Sequence, residues 1–378
     1  MSLLLTLNAG SSSLKFAVYR AADEPELVIV GQVERLGPEA RLKIKGAPAR
    51  NLGATDHARA LDEILVSIAD HIDDGVGAVG HRVVHGGSDF TGPVVLDEQV
   101  MAKLRVLVPL APLHQPHNIA CIDAAMSRFP DALQVGCFDT SFHRGHPWVN
   151  DTFALPRRFY DLGVRRYGFH GLSYDYMASE LRRLYPKLED GNVVIAHLGN
   201  GASICAVRDG QSVASTMGFS ALDGLPMGTR SGQIDPGVML YLMESHGMTA
   251  PEMSRLLYRE SGLLGLSGIS SDMRTLLASE APEAAQAIDY YVFRIQREIG
   301  AMAAVLGGID GLVFCGGIGE NAAVIRERVV EKLAFLGLEI DRDANAQNAI
   351  KIGAGSADVL VIPTDEERVI ARALVALA

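Results

Sequence analysis

A short pattern of apolar residues, a glycine- and serine-rich turn and further apolar residues occurs twice in the chain. It reads LTLNAGSSSLKFAV in residues 5–18 and IAHLGNGASICAV in residues 195–207. Apolar runs joined by such a turn predict two strands paired as a hairpin. Ala17 and Ala206, the matching positions, are separated by half of the 378 residues. The repeat therefore predicts a duplicated fold, with a hairpin at the start of each half and a cleft between the halves.

Other short apolar runs end in turns formed by the 39 glycines and alternate with longer segments of helical periodicity. Strands are predicted at residues 3–7, 14–19, 78–84, 133–138, 193–197, 203–207 and 311–315. Helices are predicted at residues 58–70, 116–128, 173–185, 284–306 and 321–336. We therefore expect an α/β protein of two domains, residues 1–145 with 366–378 and residues 146–365.

The composition argues against several classes of protein. A formal net charge of −11 disfavours binding to nucleic acid or to an anionic membrane surface. The four cysteines are far apart, which indicates a reducing compartment rather than a disulfide framework. The first residues, MSLLLTLNAG, lack the basic leader and long apolar run of a signal peptide. We expect a soluble, cytoplasmic protein.

The two hairpin turns offer groups that bind phosphate. Residues 8–13, NAGSSS, are followed closely by Lys15, and residues 198–203 read LGNGAS. Backbone N–H groups, hydroxyls and an ammonium hold phosphate oxygens. Either turn alone is more often an ordinary solvated β-turn. Two such turns, one from each half, favour binding of a polyphosphate.

A third glycine turn, GGIGEN at residues 316–321, follows a predicted strand and precedes a predicted helix. A nucleotide packs against bare backbone in this context. The spacing is not that of a dinucleotide-binding fingerprint, and no P-loop motif occurs in the sequence. A tight helix start that needs glycine for packing explains the turn equally well.

Charged residues in turns form a second group of candidates. Arg82 lies in HRVVHGG and Arg230 in MGTRSG, where arginine commonly binds a carboxylate or phosphate with two hydrogen bonds. Asp139 follows a predicted strand, and His170 lies between glycines beside two arginines. Glu366 belongs to TDEE, which is either an acidic helix start or a carboxylate near Mg²⁺. Each residue alone is more often structural: an ion pair, a turn cap or a hydrogen-bonded turn histidine.

Taken together, NAGSSSLKF, HRVVHGG, PLAPLH, FDTSFH, RRYGFHGLSY, HLGNGAS, MGTRSGQIDP, GGIGEN and PTDEE occur in the order seen in acetate kinases. The chain resembles this family, the acetokinase family of short-chain carboxylate kinases, from Asn8 to Glu367. The resemblance implies the fold of actin and sugar kinases, with two similar α/β domains around an ATP cleft. It also implies a homodimer that phosphorylates acetate with ATP.

The resemblance implies a role for each residue at the centre of the reaction. Asn8 would contact the transferring phosphate and the metal, while Arg82 and Arg230 hold the carboxyl and phosphoryl groups. Asp139 would be the essential carboxylate, and His170 would bond the phosphoryl group during transfer.

Further roles concern the nucleotide, the metal and the acyl group. The implied nucleotide-binding residues are Lys15, His197, Gly199, Asn200, Gly201, Asp272, Met273, Arg274, Gly317, Ile318, Gly319 and Asn321. Glu366 would orient toward Mg²⁺, for which Mn²⁺ is an alternative. Val84, Leu113, Phe169 and Ala221 would surround the methyl group of acetate.

Two positions depart from the family pattern. Ala221 replaces a proline that commonly lines the acyl pocket, and Met273 replaces an aromatic residue common near the nucleoside. A propionate or broader short-chain acyl kinase is therefore an alternative, because one methylene is worth only about 1–3 kcal/mol of discrimination. A more remote alternative is an actin-like ATP-binding switch. Such a switch would need the phosphate-binding turns but not Arg82, Asp139 and Arg230 together.

Overall fold

The computed structural model describes residues 3–10, 12–72 and 75–378. The structure divides into two compact units, which we call unit 1 (residues 1–144 and 365–378) and unit 2 (residues 145–364). Each unit has its own sheet and its own core. No helix within the described ranges combines the length and apolar character needed to span a membrane.

Unit 1 contains an eight-stranded sheet among its described residues, in the order β5-β4-β3-β2-β1-β6-β8-β7. Its strands are β1 (Leu3–Ala9), β2 (Ser13–Arg20), β3 (Glu26–Glu34), β4 (Gly37–Ile44), β5 (Arg50–Thr55), β6 (Val76–Val83), β7 (Val94–Val95) and β8 (Leu133–Phe138). Its helices are α1 (His57–Ser67), α2 (Glu98–Val106), α3 (Gln115–Arg128) and α15 (Glu366–Leu377). One core lies between the sheet and α1, with Leu5, Phe16 and Leu61 fully buried.

Unit 2 contains a five-stranded sheet among its described residues, in the order β11-β10-β9-β12-β13. Its strands are β9 (Asn192–Leu198), β10 (Ala202–Arg208), β11 (Gln211–Ser215), β12 (Gly311–Cys315) and β13 (Asp358–Val361). Its helices are α4 (Trp148–Asp151), α5 (Arg157–Asp161), α6 (Gly171–Leu184), α7 (Pro236–His246), α8 (Ala250–Arg259), α9 (Gly262–Ser267), α10 (Met273–Leu277), α11 (Pro282–Leu306), α12 (Gly316–Asn321), α13 (Ala323–Val330) and α14 (Arg342–Ala346).

The two sheets share one topology. In unit 1, β1 pairs antiparallel with β2 and parallel with β6, which pairs parallel with β8. In unit 2, β9 pairs antiparallel with β10 and parallel with β12, which pairs parallel with β13. The repeated hairpins predicted from the sequence are therefore β1–β2 and β9–β10, each in the same place in its sheet. The predicted α/β class and the similarity of the two halves are confirmed.

The predicted helix at residues 321–336 is wrong in its extent. The chain forms α12 and α13, which are interrupted at Ala322, and then a short 3₁₀ turn at Ala334–Leu336. The guanidinium of Arg326 donates to the carbonyl oxygens of Gly319 and Glu320 at 2.8 and 3.0 Å. Because these carbonyls would otherwise accept from the next helical turn, the buried arginine ends α12 and separates it from α13.

Candidate active site

Three side chains of unit 1 meet where neighbouring strands end. Asn8 lies near the end of β1, Arg82 near the end of β6, and Asp139 directly after β8. These strands are parallel neighbours, so their carboxyl ends share one edge of the sheet. The sequence analysis selected the same residues on separate grounds: Asn8 in a phosphate-binding turn, Arg82 as a turn arginine and Asp139 at the end of a strand.

Arg82 connects the other members of this cluster. Its Nε and Nη2 donate to the two carboxylate oxygens of Asp139 at 2.9 and 2.6 Å, and its Nη1 donates to Asn8 Oδ1 at 3.0 Å. The two parallel bonds to Asp139 fix the plane of the guanidinium. Asp139 is 1% exposed. The arginine is therefore held in one orientation before any ligand binds.

Helix α15 adds two carboxylates to the cluster. Asn8 Nδ2 donates to Glu366 Oε2 at 3.1 Å and to Glu367 Oε1 at 3.5 Å, and Arg82 Nε lies 3.9 Å from Glu366 Oε2. The helix can approach β6 closely because residue 80 is glycine. A Cβ atom at Gly80 would lie 2.3 Å from Ile370 Cγ2.

Burial and mutual charge shift the pKa values of these groups. Burial raises the pKa of Asp139 above its usual value, although the Arg82 charge and hydrogen bonds act against it. Burial alone would lower the pKa of Arg82, but the carboxylates of Asp139 and Glu366 outweigh it and raise that pKa. Burial also raises the pKa of Glu367, partly offset by Lys15. The site therefore combines carboxylates, which can bind a cation, with one guanidinium, which can bind an anion.

Two polar residues of α3 that the sequence analysis missed hold the loop after β6. Asn118 Oδ1 accepts from the Val84 N–H at 2.9 Å, and its Nδ2 donates to the Ala9 carbonyl at 2.7 Å. Gln115 pairs with both backbone groups of His85, at 3.2 and 3.0 Å. Asn118 thereby joins the ends of β1 and β6. Gln115 and Asn118 are three residues apart and so share one face of α3, which is the sequence signal that could have indicated them.

The remaining predicted residues of unit 1 lie around this edge of the sheet or in its hairpin. Val84 is buried, and Leu113 lies half-buried just before α3. Lys15 is exposed and pairs with Asn8 across the β1–β2 hairpin, so both side chains share one face. Ser11, part of the predicted phosphate-binding turn, lies outside the described residues.

In unit 2, the predicted nucleotide-binding residues surround one open cavity of about 690 Å³. Eight of them line it: Gly199, Asn200, Asp272, Met273, Arg274, Gly317, Ile318 and Asn321. They come from the β9–β10 turn, the start of α10 and helix α12. Segments that are far apart in the sequence thus meet in a space large enough for a nucleoside.

Glycines shape this cavity. Gly316 has a φ of +76°, and a Cβ atom there would lie 2.8 Å from the Leu198 carbonyl oxygen. A Cβ at Gly228 would lie 2.3 Å from Asn200 Oδ1. Gly319, predicted to bind nucleotide, is buried within α12 and does not belong to the cavity lining. Its carbonyl accepts from Arg326 Nη1 at 2.8 Å.

An ion pair at the start of α10 forms one wall of the cavity. Asp272 caps the helix by accepting from the Arg274 N–H at 2.8 Å. The Arg274 guanidinium donates to both carboxylate oxygens of Asp272, at 3.1 and 2.6 Å. Hydrogen bonds from Arg274 lower the pKa of Asp272. Met273 lies between them and is only 3% exposed. It therefore packs behind the cavity wall and presents little surface to a ligand.

His170 and Arg230 converge on the β9–β10 turn. A Cβ atom at Gly201 would lie 2.6 Å from Arg230 Nη2 and 3.2 Å from His170 Nε2. Arg230 is also fixed by donation from Nη1 to the Ala221 carbonyl at 2.8 Å. Glycine at position 201 therefore leaves room for a guanidinium and an imidazole beside the turn that reaches the cavity. Phe169, which precedes His170, is buried.

The His170 ring is held from two sides. It stacks on His197 with ring centroids 4.3 Å apart, and its Nδ1 lies 2.8 Å from Ser203 Oγ. Ser203 Oγ in turn lies 2.5 Å from the hydroxyl of Tyr174. His197 is 9% exposed, and its Nδ1 lies 2.9 Å from Ser173 Oγ. His197 therefore acts as a support for His170.

The structure thus forms two clusters, one in each unit. Unit 1 brings together Asn8, Arg82, Asp139 and Glu366. Unit 2 joins the nucleoside-sized cavity to His170 and Arg230 through the turn of residues 199–201. No group of three or more histidine, cysteine or acidic side chains arranged to hold a metal occurs among the described residues.

Several known proteins are similar to this chain in sequence and in fold. The profile of the Acetokinase family matches residues 3–372. An acetate kinase of Methylocella silvestris is 55% identical over 99% of this chain and 97% of that protein. The crystal structure of Porphyromonas gingivalis acetate kinase superposes with a TM-score of 0.89 at 37% identity, covering 98% of each chain. A propionate kinase structure from Francisella tularensis gives 0.93 at 35% identity, covering 99% of each. The chain belongs to the acetokinase family.

Proposed function

We propose that this protein transfers the γ-phosphoryl group of ATP to acetate and forms acetyl phosphate in a reversible, direct reaction. One observation carries the proposal: eight residues expected to bind nucleotide line a single cavity, and the turn at its edge reaches His170 and Arg230. Family membership supplies the acceptor, since the 55% identical relative is named an acetate kinase.

The nucleotide roles follow from the lining of the cavity. Asp272 and Arg274 offer a carboxylate and a guanidinium at the cavity wall, which can bond the ribose and the base. Gly317 and Ile318 present the backbone of α12 to the nucleoside, and Asn200 presents the β9–β10 turn to the phosphates. Gly201 and Lys15 are proposed phosphate-binding residues as well.

The acceptor needs alignment more than activation. A carboxylate is ionised at neutral pH and is already a nucleophile. Catalysis then depends on positioning and on compensation of the charge that spreads over the phosphoryl oxygens. Arg82 and Arg230 supply fixed positive charge, and His170 supplies a hydrogen-bond donor. Asp139 keeps the Arg82 guanidinium in its plane through two hydrogen bonds.

The acidic cluster of unit 1 suits a magnesium ion that arrives with ATP. Mg²⁺ usually takes one or two protein carboxylates and keeps its other positions for water and phosphate oxygens. Glu366, 9% exposed beside Glu367, provides such a carboxylate. The metal, Mg²⁺ or Mn²⁺, would neutralise charge on the β- and γ-phosphates. Asn8 bridges Arg82 and Glu366, so it would orient the carboxylate as well as contact the metal.

Propionate is the second candidate acceptor. Residue 221 is alanine in place of the common proline, and the propionate kinase of Francisella tularensis has the same fold over 99% of the chain. We propose that Val84, Leu113, Phe169 and Ala221 contact the acyl chain. A pocket that accommodates the extra methylene gains about 0.8 kcal/mol, or roughly fourfold in transition-state binding.

Trapping of acyl phosphate with hydroxylamine tests the function directly. The protein is incubated with Mg-ATP and with acetate, propionate or butyrate, and the hydroxamate is measured. We expect rapid hydroxamate formation with acetate and slower formation with butyrate. ATP hydrolysis without hydroxamate from any of the three acids would favour the actin-like switch and reject the kinase.

We also propose that the protein is a cytoplasmic homodimer. Helix α7 contains no buried residue, although Val238, Leu240, Tyr241 and Met243 are all exposed apolar or aromatic side chains. A second copy would cover this face. All four cysteines are buried and none is in a disulfide, which supports the proposal of a reducing compartment.

A further inference from the structure

The hydroxyl groups of Tyr174 and Ser203 form a short hydrogen-bonded chain that ends on His170. Both residues are fully buried. The Tyr174 hydroxyl lies 2.5 Å from Ser203 Oγ, and Ser203 Oγ lies 2.8 Å from His170 Nδ1. Tyr174 belongs to α6 and Ser203 to β10, so the chain crosses from helix to sheet. Ser203 is the last residue of the second predicted phosphate-binding turn and lies in β10, whereas Tyr174 lies outside that turn, and neither lines the nucleotide cavity.

The direction of the hydrogen bonds follows from the chemistry of the groups. Burial raises the pKa of Tyr174 well above its usual value, so the phenol keeps its proton. A phenol is a better donor and a weaker acceptor than an aliphatic hydroxyl, which favours donation from Tyr174 to Ser203. When Ser203 accepts from Tyr174, its own hydroxyl proton remains available for donation to His170 Nδ1.

This direction decides which ring nitrogen of His170 carries the proton. A nitrogen that accepts a hydrogen bond is unprotonated, so the neutral ring must carry its proton on Nε2. Nε2 is the atom that lies beside Gly201 and Arg230. The opposite tautomer would present a lone pair there and would repel phosphoryl oxygens. Stacking on His197 at 4.3 Å also suits a neutral ring, because two cationic rings at that distance would repel each other.

We propose that Tyr174 and Ser203 are positioning residues that fix His170 as the Nε2–H tautomer, so that Nε2 donates to the transferring phosphoryl group. This rests on the proposed kinase function for the role of Nε2, but the tautomer itself can be observed without any substrate. The two residues act through His170 and do not contact the phosphoryl group.

Nitrogen NMR of the full-length protein labelled with ¹⁵N-histidine gives the primary test. The His170 ring signals are identified by their loss in His170→Gln. We expect an unprotonated, hydrogen-bonded Nδ1 and a protonated Nε2 in the native protein, and a mixture of tautomers in Tyr174→Phe and Ser203→Ala. Ser203→Thr, which keeps the hydroxyl, should restore the native pattern. A protonated Nδ1 in the native protein would overturn the proposal.

Kinetics give the second readout. We expect Tyr174→Phe and Ser203→Ala to lower kcat by about tenfold, the equivalent of one weakened transition-state hydrogen bond, with less than about a twofold change in KM for ATP. Tyr176→Phe, on the same helix, is the matched control and should leave both unchanged. A Tyr174→Phe variant with native kcat and native His170 ring signals would also reject the proposed positioning role of Tyr174. If the native protein made no acyl phosphate, the proposed function would fail while the NMR result still decided the tautomer.

Discussion

Both oxygens of the Asp139 carboxylate accept hydrogen bonds from the Arg82 guanidinium, at 2.9 and 2.6 Å, in a part of unit 1 where Asp139 is almost inaccessible to water. A lysine carries all its N–H donors on one nitrogen and lacks the planar fork of a guanidinium, so it cannot reproduce this pair. The arrangement fixes a positive charge at the carboxyl ends of β1, β6 and β8 before substrate arrives.

Removing that charge should reduce turnover strongly. We expect Arg82→Ala to lower kcat by a factor on the order of 10² or more, as for other preorganised charge contacts. Arg82→Lys should recover little of the loss. Arg105→Ala is a control, because Arg105 forms an exposed ion pair with Asp123 in the same unit. Near-native turnover of folded Arg82→Ala would remove Arg82 from the catalytic site.

A methyl group at Gly201 should separate Arg230 and His170 from their common target. The Cβ would lie 2.6 Å from Arg230 Nη2, so the guanidinium must move. We expect Gly201→Ala to lower kcat by about 10² while the melting temperature changes little, since a charge contact of the reaction is misplaced. Gly300→Ala, where a Cβ meets open space within α11, should behave like the native protein.

Gly80 allows α15 to pack on β6, which predicts a specific rescue. Gly80→Ala places a Cβ 2.3 Å from Ile370 Cγ2 and should destabilise the protein by about 1–3 kcal/mol in urea unfolding. Activity should fall as well, because α15 carries Glu366. Ile370→Ala in the same chain makes space for the new methyl group. The double variant should therefore regain part of the lost stability and part of the lost activity. Strictly additive losses in the two variants would contradict this packing.

Buried histidines should make the stability of unit 1 depend on pH. Burial lowers the pKa of His81 to about 4 and that of His85 to about 3. Between those values and the ordinary histidine pKa, the unfolded chain binds protons that the folded chain does not, so stability falls as the pH decreases from 7. Each histidine can contribute up to about 2 kcal/mol of loss at pH 5.

Urea unfolding at pH 7 and pH 5 measures this dependence. His81→Gln should show a smaller difference between the two pH values than the native protein, because glutamine does not titrate. An unchanged difference would mean that His81 is not kept neutral by its surroundings.

The exposed apolar face of α7 predicts a concentration-dependent assembly. Leu240→Asp combined with Tyr241→Asp should convert a dimer into a monomer in light scattering after gel filtration, because a charge cannot be buried unpaired in an apolar interface. Val66→Asp, at an exposed valine of α1, should leave the mass unchanged. A monomeric native protein would contradict the proposed dimer.

The sequence predicted those parts of the fold that depend on local patterns. Strands β8 and β12 match the predicted ranges, and α3 and α11 differ from them by two residues or fewer at each end. Strands β3, β4 and β5 were not predicted, because many of their residues face solvent and the segments contain glycines and charges that weaken the strand pattern. The break in the last predicted helix was missed because it depends on a hydrogen bond from the Arg326 side chain to the Gly319 carbonyl. The spacing of apolar residues carries no information about such a bond.

The candidate site divides in the same way. Arg82, Asp139 and His170 lie in turns beside glycines or at strand ends. Charged residues in such positions could be predicted as binding or catalytic candidates from the sequence alone. Asn118 and Tyr174 lie inside helices and act on the backbone or on another side chain. These roles are contacts with distant groups, which neither the spacing of Gln115 and Asn118 nor the motif RRYGFHGLSY that ends at Tyr174 specifies.

Helix α15 packs against β1 and β6, although nearly 300 residues separate it from β6 in the sequence. During synthesis, residues 145–364 leave the ribosome as one uninterrupted unit, while residues 3–144 must wait for residues 365–378 before their sheet receives this helix. Glu366 arrives with it. A nascent chain is therefore without its proposed metal carboxylate until α15 has been translated, so we expect unit 1 to complete its site only after the whole of unit 2 has been synthesised.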